Sequence, residues 1–247
     1  MAHGNVFQGT GYGVAILLPA IYCRSCFWSQ VLEGLRGLFR RVIVFDEAIC
    51  EREIDQSYVA DYSRPLSEMI KMYPDDRFAV FGNSFGSLIA IETGRTTNAG
   101  NLTVVFSGCP GLGDGKDLSF NVRTPRSATP ANARRVLRNL FVFPDRFPPE
   151  EIDRTLQLIR GSKTSRRIIK ALREVSTYNV KQRLLESRCR NLAIWGTEDK
   201  ITNMISAKDF IVNHTDCSFF EIGQAGHCPM LDQPDRFMEL VAGAFAR

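Results

Sequence analysis

The sequence has only three histidines and two tryptophans, and it has no long apolar run. Its longest apolar stretch, Val14 to Cys23, is ten residues interrupted by Pro19, against the roughly 20 that a membrane-spanning helix needs. No Lys or Arg precedes that stretch and no A-x-A-like site follows it, so no secretory signal is expected and a cytoplasmic location is. The seven cysteines are odd in number and scattered, unlike a disulfide framework. Cys23 and Cys26 form the single C-x-x-C, but no second pair and no histidine lies near enough to complete a zinc set. Loop packing is their expected role. Internal repeats and biased tracts are missing as well. With 44% hydrophobic and 23% charged residues, the 247-residue chain suits one α/β domain with a full core and an inserted subdomain.

The net charge of +4 is too small to imply nucleic acid, but its distribution is uneven. Residues 110–190 hold 18 Lys and Arg against 8 Asp and Glu, a net of +10, and the remainder of the chain nets −6. Arg134, Arg135 and Arg138, followed by Arg160, Lys163, Arg166, Arg167, Lys170 and Arg173, make a cationic surface. One reading is a solvated helix face. The other is a docking surface for an anionic substrate such as a carboxylate, coenzyme A or an acidic acyl carrier protein, steered by a long-range field. No aromatics interleave with these cations, which argues against nucleic acid.

Short apolar runs alternate with amphipathic stretches. Strands are expected at Gly13–Leu18, Val42–Asp46, Phe78–Phe81, Leu102–Phe106, Leu192–Trp195 and Ser218–Ile222, with about one more before Gly13. Helices are expected at Trp28–Phe39, Val59–Met72, Phe85–Gly94, Met204–Val212 and Arg236–Phe245. Continuous Val/Ile/Leu/Phe strands between helices predict a mostly parallel sheet covered on both faces. The basic segment interrupts the alternation, with helices expected near Pro130–Asn139, Pro149–Arg160 and Lys163–Thr177. The predicted organisation is therefore a core of residues 1–109 and 191–247, with residues 110–190 inserted as a helical lid.

Gly82-Asn83-Ser84-Phe85-Gly86 is a G-x-S-x-G that follows a strand and opens a helix. In a nucleophile elbow the serine sits on a strained turn, and side chains two residues to either side would clash, hence the two glycines. An ordinary Gly-rich turn or a phosphate-binding helix N-terminus would also use such a sequence. A serine hydroxyl needs a base. His3 is terminal, and His214 ends a helix as a surface cap. His227, in Gly223-Gln-Ala-Gly226-His227-Cys228, falls after the last strand, on the sheet edge where open α/β folds place their sites. Asp199 in Trp195-Gly196-Thr197-Glu198-Asp199 is the acid expected to orient it, with Glu198, Asp114 and Asp117 as competitors. Cys228, beside the expected base, is predicted to line the site, so that bulky alkylation there would depress activity.

The strand–GNSFG–helix, the WGTED and the AGHCPMLDQPDRF, in the order Ser, Asp, His, resemble the α/β-hydrolase superfamily over roughly residues 12–108 and 191–247. The resemblance implies a Ser84–His227–Asp199 triad, an acyl-enzyme and no metal or cofactor. It also implies an oxyanion hole from the backbone N–H groups of Phe85 and Ile21. The loop that often carries His-Gly in this superfamily reads Leu18-Pro19-Ala20-Ile21-Tyr22, and the usual Gly-x-Gly-x-Ser is replaced by Asp46-Glu-Ala-Ile-Cys50. Removing one oxyanion donor typically costs about 10²–10³ in rate. Asn83 is a feature of hydrolases that cleave carbon–carbon bonds of ring-fission products, although those commonly have Gly-His-Trp where this chain has Gly-His-Cys. In size, triad order and arginine-bearing lid, the chain also looks similar to esterases that cleave the methyl ester of pimeloyl-acyl carrier protein. A carboxylic ester or thioester hydrolase acting on a small or carrier-bound acyl substrate is expected. A carbon–carbon hydrolase, or a ligand-binding protein on the same scaffold, is the alternative.

Overall fold

The computed structural model describes residues 4–18, 20–21, 24–54, 56–97, 99–113, 139–144 and 149–245. Seven strands form one sheet: β1 Gly4–Gln8, β2 Val14–Leu17, β3 Arg41–Phe45, β4 Phe78–Asn83, β5 Leu102–Ser107, β6 Arg190–Gly196 and β7 Ser218–Ile222. Their order is β1-β3-β2-β4-β5-β6-β7. Only β1 runs antiparallel, pairing Val6 with Ile43 on β3. All other neighbours are parallel. From β2 the chain steps outward to β3, then returns to place β4 on the other side of β2. The strand order therefore reverses between β2 and β4, and crevices for ligands open at such switch points.

Side chains alternate strictly across the sheet because a strand has a period of two. Val14, Ile16, Phe78, Val80, Val104, Phe106 and Trp195 join a core beneath helices α2 (Tyr58–Met72) and α3 (Phe85–Thr97). Ala15, Leu17, Ala79, Phe81, Leu192 and Ile194 face the opposite core. That second core is covered by a 3-10 helix (Ser25–Val31) and α1 (Leu32–Leu38), with the C-terminal helix beside them. The parallel α/β sheet expected from the apolar runs is thus the fold observed.

One expected helix is divided. The stretch read as one helix from Trp28 begins as the 3-10 segment. There Trp28 and Val31 are buried three residues apart, the spacing at which a 3-10 turn aligns its side chains, and the Trp28 indole donates to the Leu18 carbonyl at 3.0 Å. The last helix, expected at Arg236–Phe245, runs unbroken over Pro234–Phe245, and Gln233, before the proline that opens it, lies outside the helical region (φ −137°, ψ 64°).

Between β5 and β6 the chain leaves the sheet and forms α4 (Pro149–Arg160), α5 (Ser162–Thr177) and α6 (Val180–Glu186). The first two match expectation. The third went unread although Asn179 caps it, accepting from the Gln182 amide at 3.2 Å. The helix expected at Pro130–Asn139 and the residues Arg134, Arg135 and Arg138 lie outside the described residues, apart from Asn139. α5 is fastened to the core. Glu174 accepts the Ser57 hydroxyl (2.5 Å) and the Tyr58 and Val59 amides (2.8 and 3.0 Å), so a carboxylate from the insertion sits on the positive end of α2. Arg167 donates to the Glu51 carbonyl at 2.7 Å and to Glu53 at 2.9 Å, and Lys170 donates to the Ile54 carbonyl at 2.9 Å. Two of the basic residues are thereby engaged in holding the insertion down. The remaining helices are α7 (Met204–His214), α8 (Pro229–Asp232) and α9 (Pro234–Phe245). Among the described residues, no helix is long and apolar enough to cross a membrane.

Candidate active site

β4 ends at Asn83 and α3 starts at Phe85, so one residue, Ser84, makes the turn. Its φ of 55° lies in the left-handed region, which costs a non-glycine residue roughly 1–3 kcal/mol and persists only where the surroundings enforce it. They do so here. The Ser84 amide donates to the Ser107 carbonyl at 2.9 Å, and the Ser87 hydroxyl bridges the Gly82 and Ser107 carbonyls at 3.1 and 2.9 Å. A Cβ on Gly82 would lie 2.3 Å from the Gly86 carbonyl oxygen. This is the clash expected from the sequence, and it explains why the chain carries glycine there.

The loops after β6 and β7 bring Asp199 and His227 together, with Asp199 Oδ2 at 3.0 Å from His227 Nδ1. Both side chains are enclosed, 0% and 2% exposed. Every oxygen position on Asp199 faces a donor. Oδ1 accepts the amides of Ile201 (2.8 Å) and Thr202 (3.1 Å), and Oδ2 accepts the Thr202 hydroxyl (2.6 Å) and the Trp195 indole (3.1 Å). Burial by itself would raise the carboxyl's pKa. The His227 charge and hydrogen bond, helped by Thr202, outweigh burial and hold it below the ordinary carboxylate range. Glu198, the adjacent competitor, is exposed; Asp114 and Asp117 lie outside the described residues.

The serine turn and the His–Asp pair are joined through Asn83. Its side-chain amide donates to the His227 carbonyl at 2.8 Å and to the Ser107 hydroxyl at 3.0 Å. The residue next to Ser84 thus fixes the loop that carries the imidazole. Asn83 is committed to architecture, which accounts for it without reference to any particular substrate.

Three supports escaped the sequence reading. Gly108, at φ 54°, leaves room for the imidazole, since a Cβ there would fall 2.7 Å from His227 Cε1 and Nδ1. A glycine immediately after a strand on the active edge was the signal. Asp232 is buried and accepts amides from Gly226 (2.8 Å), Val142 (3.1 Å) and Phe143 (3.0 Å), while the His227 amide donates to Leu140 at 2.8 Å. A stretch from the middle of the insertion, Leu140 to Phe143, is thus stitched to the histidine loop. Trp195, read only as a strand residue, closes the Asp199 pocket. His214 is an exposed helix end against Phe210, as expected.

The expected oxyanion donors belong to neighbouring loops. β2 and β4 are adjacent, with the Leu18 amide donating to Phe81 at 2.9 Å. Phe85 opens α3, where a first-turn N–H has no partner within its own helix. Ile21 is buried on the loop after β2, its carbonyl held by the Cys50 amide at 2.8 Å. The segment that replaces Gly-x-Gly-x-Ser therefore serves as a brace for the loop, with Glu51 gripping the Ala48 amide (2.8 Å) and Arg24 Nε (2.9 Å).

Cys228 requires a correction. It is 1% exposed, its thiol points at Asn83 Oδ1 (3.5 Å), and burial pushes its pKa well above the usual thiol value. It faces the interior and is unreactive while the chain is folded. Iodoacetamide should leave Cys228 unmodified in native protein and label it after denaturation, as peptide mass mapping would read. Rapid native labelling at Cys228 would contradict this burial.

Residues 11–240 match the Alpha/beta hydrolase family. The chain belongs to that family. No curated protein matches this hydrolase chain. Among solved structures, a meta-cleavage product hydrolase from Pseudomonas fluorescens IP01 superposes with a TM-score of 0.74 at 16% identity, covering 98% of this chain and 93% of that one. A thermophilic esterase from Thermogutta terrifontis gives 0.73 at 18%, covering 99% and 92%. An N-acyl homoserine lactone degrading enzyme gives 0.72 at 18%, covering 98% and 95%. At such identities the likeness is one of fold.

Proposed function

We propose that this hydrolase is a serine enzyme that cleaves a carboxylic ester or thioester through Ser84, His227 and Asp199. The observation that carries the reading is the enclosed Asp199–His227 pair, tied through Asn83 to a serine held at φ 55°. Asp199 accepts Nδ1–H and leaves Nε2 as the base. Ser84 Oγ attacks the acyl carbon as its proton passes to Nε2, and the carbonyl oxygen becomes an oxyanion facing the Phe85 and Ile21 amides. His227 returns the proton to the departing alcohol or thiol, leaving an acyl-Ser84. Water then attacks the acyl carbon, giving its proton to Nε2, and the acid is released with Ser84 restored. No step calls for a metal or cofactor.

The basic insertion supports an anionic acyl substrate, small or carried on an acidic acyl carrier protein, in the manner of a pimeloyl-acyl carrier protein methyl ester. Arg166 is exposed and open to such a partner, whereas Arg167 is engaged with Glu51 and Glu53. Asn83 no longer favours the carbon–carbon reading, because its amide has a structural duty. Hydrolysis of p-nitrophenyl acetate and butyrate checks the proposal. Saturable turnover, lost on Ser84→Ala, is expected. Saturable ligand binding with no turnover of esters or thioesters would leave a receptor on a hydrolase scaffold instead.

A further inference from the structure

Where α5 crosses the loop before α2, the surface encloses a cavity of about 280 Å³ separate from Ser84 and His227. Lys163, Arg166, Arg167 and Lys170 line it on one side, with Glu53 and Tyr58 across the base. Among the described residues that line it, four cations thus meet one carboxylate, and that carboxylate is already paired with Arg167. Lys163 and Arg166 are exposed and have no hydrogen bond or ion pair among the described residues. Tyr58 is the second, independent sign. It is 0% exposed, yet its hydroxyl has no hydrogen-bond partner among the described residues. Buried polar groups are ordinarily satisfied, and an exception points to a ligand or water that completes it. Burial pushes this phenol up to about 12, with the Arg167 charge acting in the other direction.

We infer that this cavity binds the phosphate group of a small phosphate ester, held by Lys163 and Arg166 and by the Tyr58 hydroxyl. All three present only N–H or O–H donors to an incoming anion, and guanidinium forks match phosphate oxygens. The volume exceeds a bare phosphate and falls just short of ordinary drug-sized pockets, about 300–1,000 Å³. Tyr58 also packs edge-on against Phe85, ring centroids 6.2 Å apart. The cavity floor is therefore one aromatic ring from the residue that follows Ser84.

Binding does not rest on the hydrolase reading, so it is measured first by calorimetry with inorganic phosphate on the full chain carrying Ser84→Ala. Saturable binding that weakens with added salt is expected. Lys163→Ala/Arg166→Ala should weaken it about tenfold, two exposed charge contacts being lost. Tyr58→Phe should weaken it about threefold while leaving the melting temperature of phosphate-free protein unchanged, because the hydroxyl has no bond there to lose. No heat at tens of millimolar phosphate, or equal affinity in all variants, would overturn the site. Wild-type kinetics then identify the source of the phosphate. A phosphate carried by the substrate makes inorganic phosphate compete with a coenzyme A thioester but not with p-nitrophenyl acetate. A free phosphate effector instead changes both rates.

Discussion

Wild-type protein exposed to a fluorophosphonate should gain one adduct, on Ser84, and Ser84→Ala should gain none by intact mass. The expectation follows from the elbow. Ser84 sits at φ 55° between β4 and α3 with its amide committed to the Ser107 carbonyl, the backbone arrangement by which a nucleophile elbow exposes its hydroxyl. The reagent phosphonylates only a serine whose proton is being taken, and in the proposed mechanism the base is His227, whose loop is fixed by Asn83. The same substitution should lower ester turnover by about 10⁴-fold or more, the usual loss when a triad nucleophile is removed. Ser84 precedes a helix and is half-buried, so the variant should fold. An adduct that persists in Ser84→Ala would put the nucleophile elsewhere. Folded wild type that takes no adduct would favour the receptor reading.

Asp199→Asn should be nearly as damaging, for two separable reasons. All four contacts around the carboxylate are donors, in addition to His227 Nδ1. An amide NH₂ must therefore face another donor whichever way it turns, leaving a buried group unsatisfied at about 1–3 kcal/mol. The imidazole then tends to the wrong tautomer, with the proton on Nε2, where Ser84 needs a base. Turnover should fall by about 10⁴-fold. The pH dependence of stability follows from the depressed carboxyl. Its native pKa lies below the unfolded value of about 3.9. The pair therefore stabilises the fold above that value, and its contribution is lost as pH falls through the native pKa. Thermal melts between pH 3 and 7 should show this acid-side loss in wild type and a smaller one in Asp199→Asn. Activity within tenfold of wild type would remove Asp199 from the mechanism.

The Ser84 elbow and the order of Asp199 and His227 along the chain were legible because they are local. Each motif directly follows a run of Val, Ile, Leu, Phe or Trp, and a parallel sheet carries every such strand end to one edge. The strand–helix alternation was legible for the same reason: burial on both faces leaves a continuous apolar signature that short sequence windows capture. What escaped was set by contact across distance. Gly108 matters only because the His227 ring swings over it, Asp232 only because Val142 and Phe143 arrive beside it, and Asn83 only because the His227 carbonyl lies within reach. Composition showed a basic insertion, but not which of its charges were engaged. Arg167 and Lys170 are held by backbone carbonyls, whereas Lys163 and Arg166 remain open, since a helix presents its faces to different neighbours. The sequence by itself determined the layers, the sheet edge and which residues are candidates to react there. Tertiary structure decided which groups hold them, because a hydrogen bond between residues 144 apart, as from Asn83 to His227, leaves no periodic mark on the chain.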